Sequence, residues 1–251
     1  MIIPDKKEVE IAVDNIFKFL FPYNDITGNL NPDDVLKSEI SAIIIGLTSE
    51  KLKINQRFSD NLPSIKKTLL SDAEFILDSD PAARDLAEVI AIYPGFFAIY
   101  CYRIAHVLHQ LSIPILPRMI TEYAHKTTGI DIHPGAKIDS PVSIDHGTGI
   151  VIGETAIIGN HVKLFQGVTL GALSVSKSKA SRKRHPTIED NVILYSGCTI
   201  LGGHTIIGRN SIIGGNVWLT ESIAPFSVVY HKSEIIVKNN SRYHEPIDFM
   251  I

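Results

Sequence analysis

Two hydrophobic rhythms divide the chain. In the first part, apolar positions recur at helical spacing: Val9, Val13, Ile16, Phe17 and Leu20 form one face, and Pro22 ends the run. Asn31-Pro32-Asp33-Asp34 predicts a second helix start. Asn caps, Pro sits at the first helical position, and two carboxylates face the positive end of the dipole. Its apolar face is Val35, Leu36, Ile40, Ile43, Ile44 and Leu47. Further helices are predicted from Pro63 to about Leu77, from just after Asp80-Pro81, and from about Gly95 to Leu111. These residues read as a helical cap or oligomerisation domain.

The second part has a six-residue period. Ile188, Leu194, Ile200, Ile206, Ile212 and Trp218 fall in register, as do Ile152, Ile158, Leu164 and Leu170, and further upstream Ile132, Ile138 and Ile144. Aliphatic-glycine pairs accompany them at Ile152-Gly153, Ile158-Gly159, Leu170-Gly171, Leu201-Gly202, Ile207-Gly208 and Ile213-Gly214. Neither a helix nor a simple strand gives this period. A solenoid does, with one hexapeptide per flat face, the aliphatic residue inward and small residues at the corners. Asp131 to about Val237 then makes roughly five three-sided coils. Two places break the rhythm. Ile144 and Ile152 are eight apart, which distorts the turn Asp145-His146-Gly147-Thr148-Gly149, and between Gly171 and Pro186 a loop leaves the solenoid. Interruptions of this kind mark a binding face.

Glycine usage places the join. Fourteen of 17 glycines lie between Gly129 and Gly215, and only Gly28, Gly46 and Gly95 precede them. The expected organisation is α + β: a helical region over 1–128, a parallel β-helix over 129–237 and a flexible tail over 238–251. A net charge of −3 gives no general case for a nucleic acid or an anionic membrane as partner. Two cysteines without a CxxC spacing point to a reducing, cytoplasmic setting. No signal peptide is read at the N-terminus, and the longest apolar stretch, Ala91 to Tyr102, is too short to span a bilayer.

The polar residues worth weighing for chemistry surround the two breaks: Asp131, His133, Asp145, His146, Arg184 and His185. Asp131 and His146 are fifteen residues apart, near the eighteen of one coil, so the spacing predicts that they meet across neighbouring coils. An aspartate on one imidazole nitrogen frees the other to act as a base. No metal is expected, because the ten histidines show neither HxxxxH nor HExxH spacing. Five basic residues between Lys177 and Arg184 suit the phosphates of a coenzyme.

Asp131-Ile132-His133-Pro134, the run from Ile144-Asp145-His146-Gly147 to Gly153-Glu154-Thr155-Ala156, Val168-Thr169-Leu170-Gly171 and Arg184-His185-Pro186 resemble bacterial serine O-acetyltransferases. Asp80-Pro81-Ala82, Gly95-Phe96 and Tyr102-Arg103-Ile104-Ala105-His106 resemble the same family's helical region. The resemblance implies a left-handed parallel β-helix, a homotrimer or a dimer of trimers, and active sites between adjacent β-helices. It implies acetyl transfer from acetyl-CoA to L-serine, the first step of cysteine synthesis, with L-cysteine as feedback inhibitor. By position, His146 is the general base and Asp131 its orienting partner. Asp80 and Asp145 hold the substrate ammonium, Arg184 its carboxylate, and His185 the substrate or its oxyanion. Gly171 lines the coenzyme channel. The final residue, Ile251, is implied to enter the active site of O-acetylserine sulfhydrylase. Two other enzymes remain as alternatives: a hexapeptide acetyltransferase for another hydroxyl acceptor, and a γ-type carbonic anhydrase.

Overall fold

The structure, a computed structural model, describes residues 3–23, 51–173 and 182–232. The predicted helix start at Asn31, most of the basic loop and the tail with Ile251 lie outside the described residues. Helix α1 (Lys6–Leu20) follows its apolar pattern, with Val9, Val13, Ile16 and Leu20 buried. Asp5 caps it, its carboxylate accepting from the backbone N–H of Lys7 and Glu8. Helix α2 (Lys51–Ser79) starts well before Pro63, against the expectation of a start there. Proline has no N–H, so one helical bond is forgone. Its ring faces solvent while Leu62, Ile65 and Leu69 beside it are buried, and that burial carries the helix through.

A turn follows at Asp80, whose carbonyl accepts from Ala83 N–H. The next helix, α3 (Leu86–Ile92), therefore begins later than predicted, at the Asp85 cap. Helix α4 (Pro94–Gln110) matches its expected span closely. Helix α5 (Leu116–Thr128) was not anticipated. Its signals are a proline in the first turn and Gly129, left-handed at φ 74°, which ends it. Among the described residues no single helix is long and apolar enough to cross a membrane; α3 and α4 together have the length but bend by 71°.

Fourteen short strands follow, β1 (Asp131–Ile132) to β14 (Val228–Val229). They form three parallel sheets in the orders β1-β4-β7-β10-β13, β11-β8-β5-β2 and β14-β12-β9-β6-β3. Each of the first four coils contributes one strand to each sheet, and the fifth contributes β13, β14 and an isolated bridge at Ile223, making about five turns of a left-handed parallel β-helix. Its inward column on the first sheet is Ile132, Ile152, Leu170 and Ile200, each paired with the next. Beyond Ile200 the register moves by one. Ile207 and Ile213 are fully buried, whereas Ile206 and Trp218, placed inward by the unbroken six-residue count, are 42% and 67% exposed. The corner at Leu201-Gly202-Gly203-His204-Thr205 holds one residue more than its counterparts, and Gly202 accommodates it at φ 104°. The aliphatic-glycine pairs Ile207-Gly208 and Ile213-Gly214 already carried this phase.

Helices and coils share one apolar core. They are also joined by buried polar bonds. Tyr102 of α4 donates to Ala136 O at 2.7 Å and accepts from Ile138 N–H, and His106 Nδ1 bonds Pro134 O at 2.8 Å. Deeper still, Asp72 of α2 is fully buried and receives Arg103 Nε at 2.7 Å and Nη2 at 2.9 Å. Ser140 Oγ and the Val142 N–H complete its shell, and Arg103 also donates to the carbonyls of Ile138 and Asp139. Burial raises the Asp72 carboxyl above its ordinary range, and Arg103 with the other donors pulls it back. Asp72→Ala leaves the Arg103 charge buried without its partner, a loss of about 3–5 kcal/mol. Thermal unfolding of that variant is expected to show a drop in Tm of several degrees or more; an unchanged Tm would remove this node from the account.

Candidate active site

Asp80 and Asp145 line one shallow cleft together with Ile76, Ser79, Tyr93, Ser143, Ile144, Lys163 and Phe165. Asp80 arrives from the C-terminal end of α2, and Asp145 follows directly on strand β3 (Val142–Ile144). One Asp80 oxygen accepts from Ala82 N–H at 2.8 Å and the other from the Tyr93 hydroxyl at 2.8 Å. These two bonds hold the Asp80 carboxyl below its ordinary range, with His146 and Lys163 adding to the effect. The same bond pushes the Tyr93 phenol up to about 12. Lys163 of strand β6 (Val162–Leu164) donates to Ser79 O at 3.3 Å, next to Asp80 and at the negative end of α2.

His146 stands at the corner after β3, left-handed at φ 57°, with Gly147 and Gly149 also at positive φ. Its ring is 70% exposed, and Nε2 lies 3.7 Å from Asp145 Oδ1. The conformation that the eight-residue spacing required thus pushes this imidazole out of the coil. Asp131 does not meet His146 within the chain. It is held at 3.5 Å by Arg118 of α5. This first coil runs twenty residues, not eighteen, so Asp131 pairs with Val151 and His146 lies at the preceding corner. Arg118 also pairs with Glu122. Glu122, His125 and Asp131 have the proximity of a cation site, but the guanidinium already supplies the positive charge between the two carboxylates.

Arg184 and His185 sit elsewhere: at the corner after strand β4 (Val151–Ile152), whereas His146 is at the corner before it. Thr155 anchors them, its Oγ1 accepting from the backbone N–H of Arg184 at 2.9 Å and of His185 at 3.1 Å. The Arg184 side chain pairs with Glu154. His185 lies on Gly153, where any Cβ would strike the ring. Its Nδ1 accepts from Thr155 N–H at 3.0 Å, so the neutral ring carries its proton on Nε2. Burial, with Arg184 and Lys183 close by, pushes the imidazole down to about 4 and keeps it neutral. Gly171 ends strand β7 (Thr169–Gly171) at the same edge, next to the outgoing loop. One chain therefore carries two polar clusters, at opposite edges of its first sheet.

Tyr93, Lys163, Glu154 and Thr155 are polar residues of the two clusters to which the sequence alone assigned no role. Tyr93 falls between two helices and Lys163 within the hexapeptide pattern, where neither stands out; Glu154 and Thr155 lie inside the run from Ile144 to Ala156. Neither thiol is available as a nucleophile: Cys101 and Cys198 are both buried, and burial pushes Cys198 up to about 12.

No protein-family model matches the chain. Curated sequences do. A plasmid-encoded serine acetyltransferase of Synechococcus elongatus is 47% identical over 188 residues, 73% of this chain and 59% of that protein. A second serine acetyltransferase of the same organism is 43% identical over 182 residues, 72% of each chain. Among solved structures, Entamoeba histolytica serine acetyltransferase 1 in complex with L-cysteine is 34% identical with a TM-score of 0.75, over 92% of this chain and 88% of that one. Neisseria gonorrhoeae serine acetyltransferase in complex with serine and a serine acetyltransferase in complex with CoA match at 27% and 26% identity, with TM-scores of 0.67 and 0.64. They cover 90% and 89% of this chain, and 93% and 96% of their own. With the paired carboxylates, the outward histidine and the β-helix all in place, identity at this level over most of the chain leads to one conclusion: this chain belongs to the serine acetyltransferase family.

Proposed function

We propose that the protein transfers the acetyl group of acetyl-CoA to the hydroxyl of L-serine, in a site assembled from two neighbouring chains of a trimer. The observation that carries the reading is the division of the site. Asp80, Asp145 and His146 face out from one edge of the first sheet, Arg184 and His185 from the other. Copies packed side by side about a threefold axis bring one edge against the other. The exposure of His146, unusual for a base, then ends at the partner's surface.

In this site Asp80 and Asp145 take the serine ammonium. Arg184 exchanges Glu154 for the serine carboxylate, a planar donor meeting a planar acceptor. His146 removes the hydroxyl proton as the serine oxygen attacks the thioester carbonyl. The tetrahedral oxyanion accepts from the Nε2–H of neutral His185. Collapse breaks the carbon–sulfur bond, and the proton on His146 passes to the CoA sulfur. Asp131 takes the role of orienting His146 on the family resemblance, and its carboxylate must leave Arg118 to do so. Gly171, beside the loop, keeps the coenzyme channel open to the thioester. L-cysteine shares the ammonium and carboxylate of serine, so it occupies the same groups as a feedback inhibitor. The tail ending at Ile251 forms a complex with O-acetylserine sulfhydrylase: a terminal carboxylate and an apolar side chain mimic a bound amino-acid substrate.

His146→Ala is expected to lower turnover in a thiol-release assay by about 10²–10⁴-fold; near-normal turnover contradicts the assignment. Shared sites make a second outcome specific. Chains carrying His146→Ala and chains carrying Arg184→Ala, each inactive, regain activity when unfolded together and reassembled. About a quarter of all sites are then intact. No recovery means that each chain completes its own site. Deleting Ile251 should abolish co-elution with the sulfhydrylase and spare acetyl transfer; co-elution that survives the deletion removes the tail as the anchor.

A further inference from the structure

The two carboxylates of the acceptor cleft are held differently. Among the described residues, the Asp145 carboxylate has His146 as its one ion-pair partner, at 3.7 Å. Asp80 receives one donor on each oxygen, Ala82 N–H from its own turn and the Tyr93 hydroxyl from another element, both at 2.8 Å. Each Asp80 oxygen keeps acceptor capacity for a further donor, and the two existing bonds set the direction in which it points.

The position of Tyr93 is closely determined. It is the residue before α4, and Gly95, two residues on, packs directly against the end of β3. A Cβ at Gly95 would stand 2.2 Å from Ile144 O, so the helix entrance rests on the backbone that delivers Asp145. The phenol therefore spans from the Asp145 side of the cleft to Asp80. The turn beneath Asp80 is fixed independently, by Lys163 on Ser79 O and by the backbone bond from Asp80 N–H to Ile76 O. What the Tyr93 hydroxyl adds is control of the Asp80 side chain, not of the turn.

We infer that Tyr93 is a positioning residue for acceptor recognition: it aims the Asp80 carboxylate so that a primary ammonium is gripped between Asp80 and Asp145. The inference rests on the acetyl-transfer reading above and deepens it. The Tyr93 hydroxyl bonds Asp80 and neither His146 nor the Arg184–His185 corner, so its contribution is confined to ligands that bring an ammonium group.

Tyr93→Phe removes the hydroxyl and keeps the ring. The expected result is a rise of about 5–10-fold in KM for L-serine, the scale of one ordinary net hydrogen bond, since the Asp80 contact to the ammonium is weakened and not removed. The inhibition constant of L-cysteine rises by the same factor, while kcat and KM for acetyl-CoA hold. 3-Hydroxypropionate keeps the hydroxyl and carboxylate of serine and lacks the ammonium. Its kcat/KM should be equal for the wild-type and variant enzymes. An unchanged KM for serine, or an equal loss for serine and 3-hydroxypropionate, overturns the role of Tyr93. A wild-type enzyme that does not acetylate serine overturns the acetyl-transfer reading instead; weakened L-cysteine binding to the variant, measured by calorimetry, would still report on Tyr93.

Discussion

One buried carboxylate governs how this molecule is put together. Asp72 has no access to solvent, and every group that satisfies it comes from another part of the fold: Arg103 from α4, Ser140 and Val142 from the first coil of the β-helix. A charge in that position is tolerable only with all its donors in place. Helix α2, helix α4 and the first coil are thereby held in one relative position. Asp80 lies two helical turns beyond Asp72 on α2, so the same node brings it to Asp145. The apolar core supplies most of the driving force, but it is non-directional; the ionic node and the Tyr102 bonds give the directions.

The site follows from that geometry and from the regularity of the β-helix. A solenoid repeats its corners, so a departure at one corner places a side chain without disturbing the coils above and below. His146 uses such a departure, with three residues at positive φ between 146 and 149. Arg184 and His185 use another, where the loop returns and Thr155 receives it. The electrostatics of the two corners differ in sign. One gathers the carboxylates Asp80 and Asp145. The other keeps a histidine neutral through burial and sets a guanidinium beside it. In the proposed reaction these two corners take the two charged ends of an amino acid.

Much of this was legible in the chain itself. The six-residue period is set by local chemistry, since each inward aliphatic and each corner residue meets the same surroundings in every coil. Strands β1 to β10 therefore lie where the period put them. The helix at Lys6–Leu20 was equally readable, because its apolar stripe and the Asp5 cap are local. The motif residues Asp80, Asp145, His146, Arg184 and His185 were visible as a resemblance. The extra residue at Gly202-Gly203 was not read, because a one-residue insertion leaves a six-residue count plausible over Ile206, Ile212 and Trp218; the aliphatic-glycine pairs favoured Ile207 and Ile213, and burial decides for them.

What the sequence by itself determined was the type of most elements, which depends on neighbours within a few residues, and, through the family resemblance, the candidate reactive groups. What only the tertiary structure decided was which groups meet. Fifteen residues of spacing suggested Asp131 beside His146, yet within one chain Asp131 opens β1 and pairs with Arg118, while His146 turns outward at the corner ahead of β4. Pro63 looked like a helix start until the buried face around it outweighed one missing hydrogen bond. Tyr93 looked like an ordinary residue between two helices until the close approach of Gly95 to Ile144 set its hydroxyl on Asp80. Contacts between residues far apart in the chain depend on coil length, helix entry and packing distance together, and no local pattern encodes that sum.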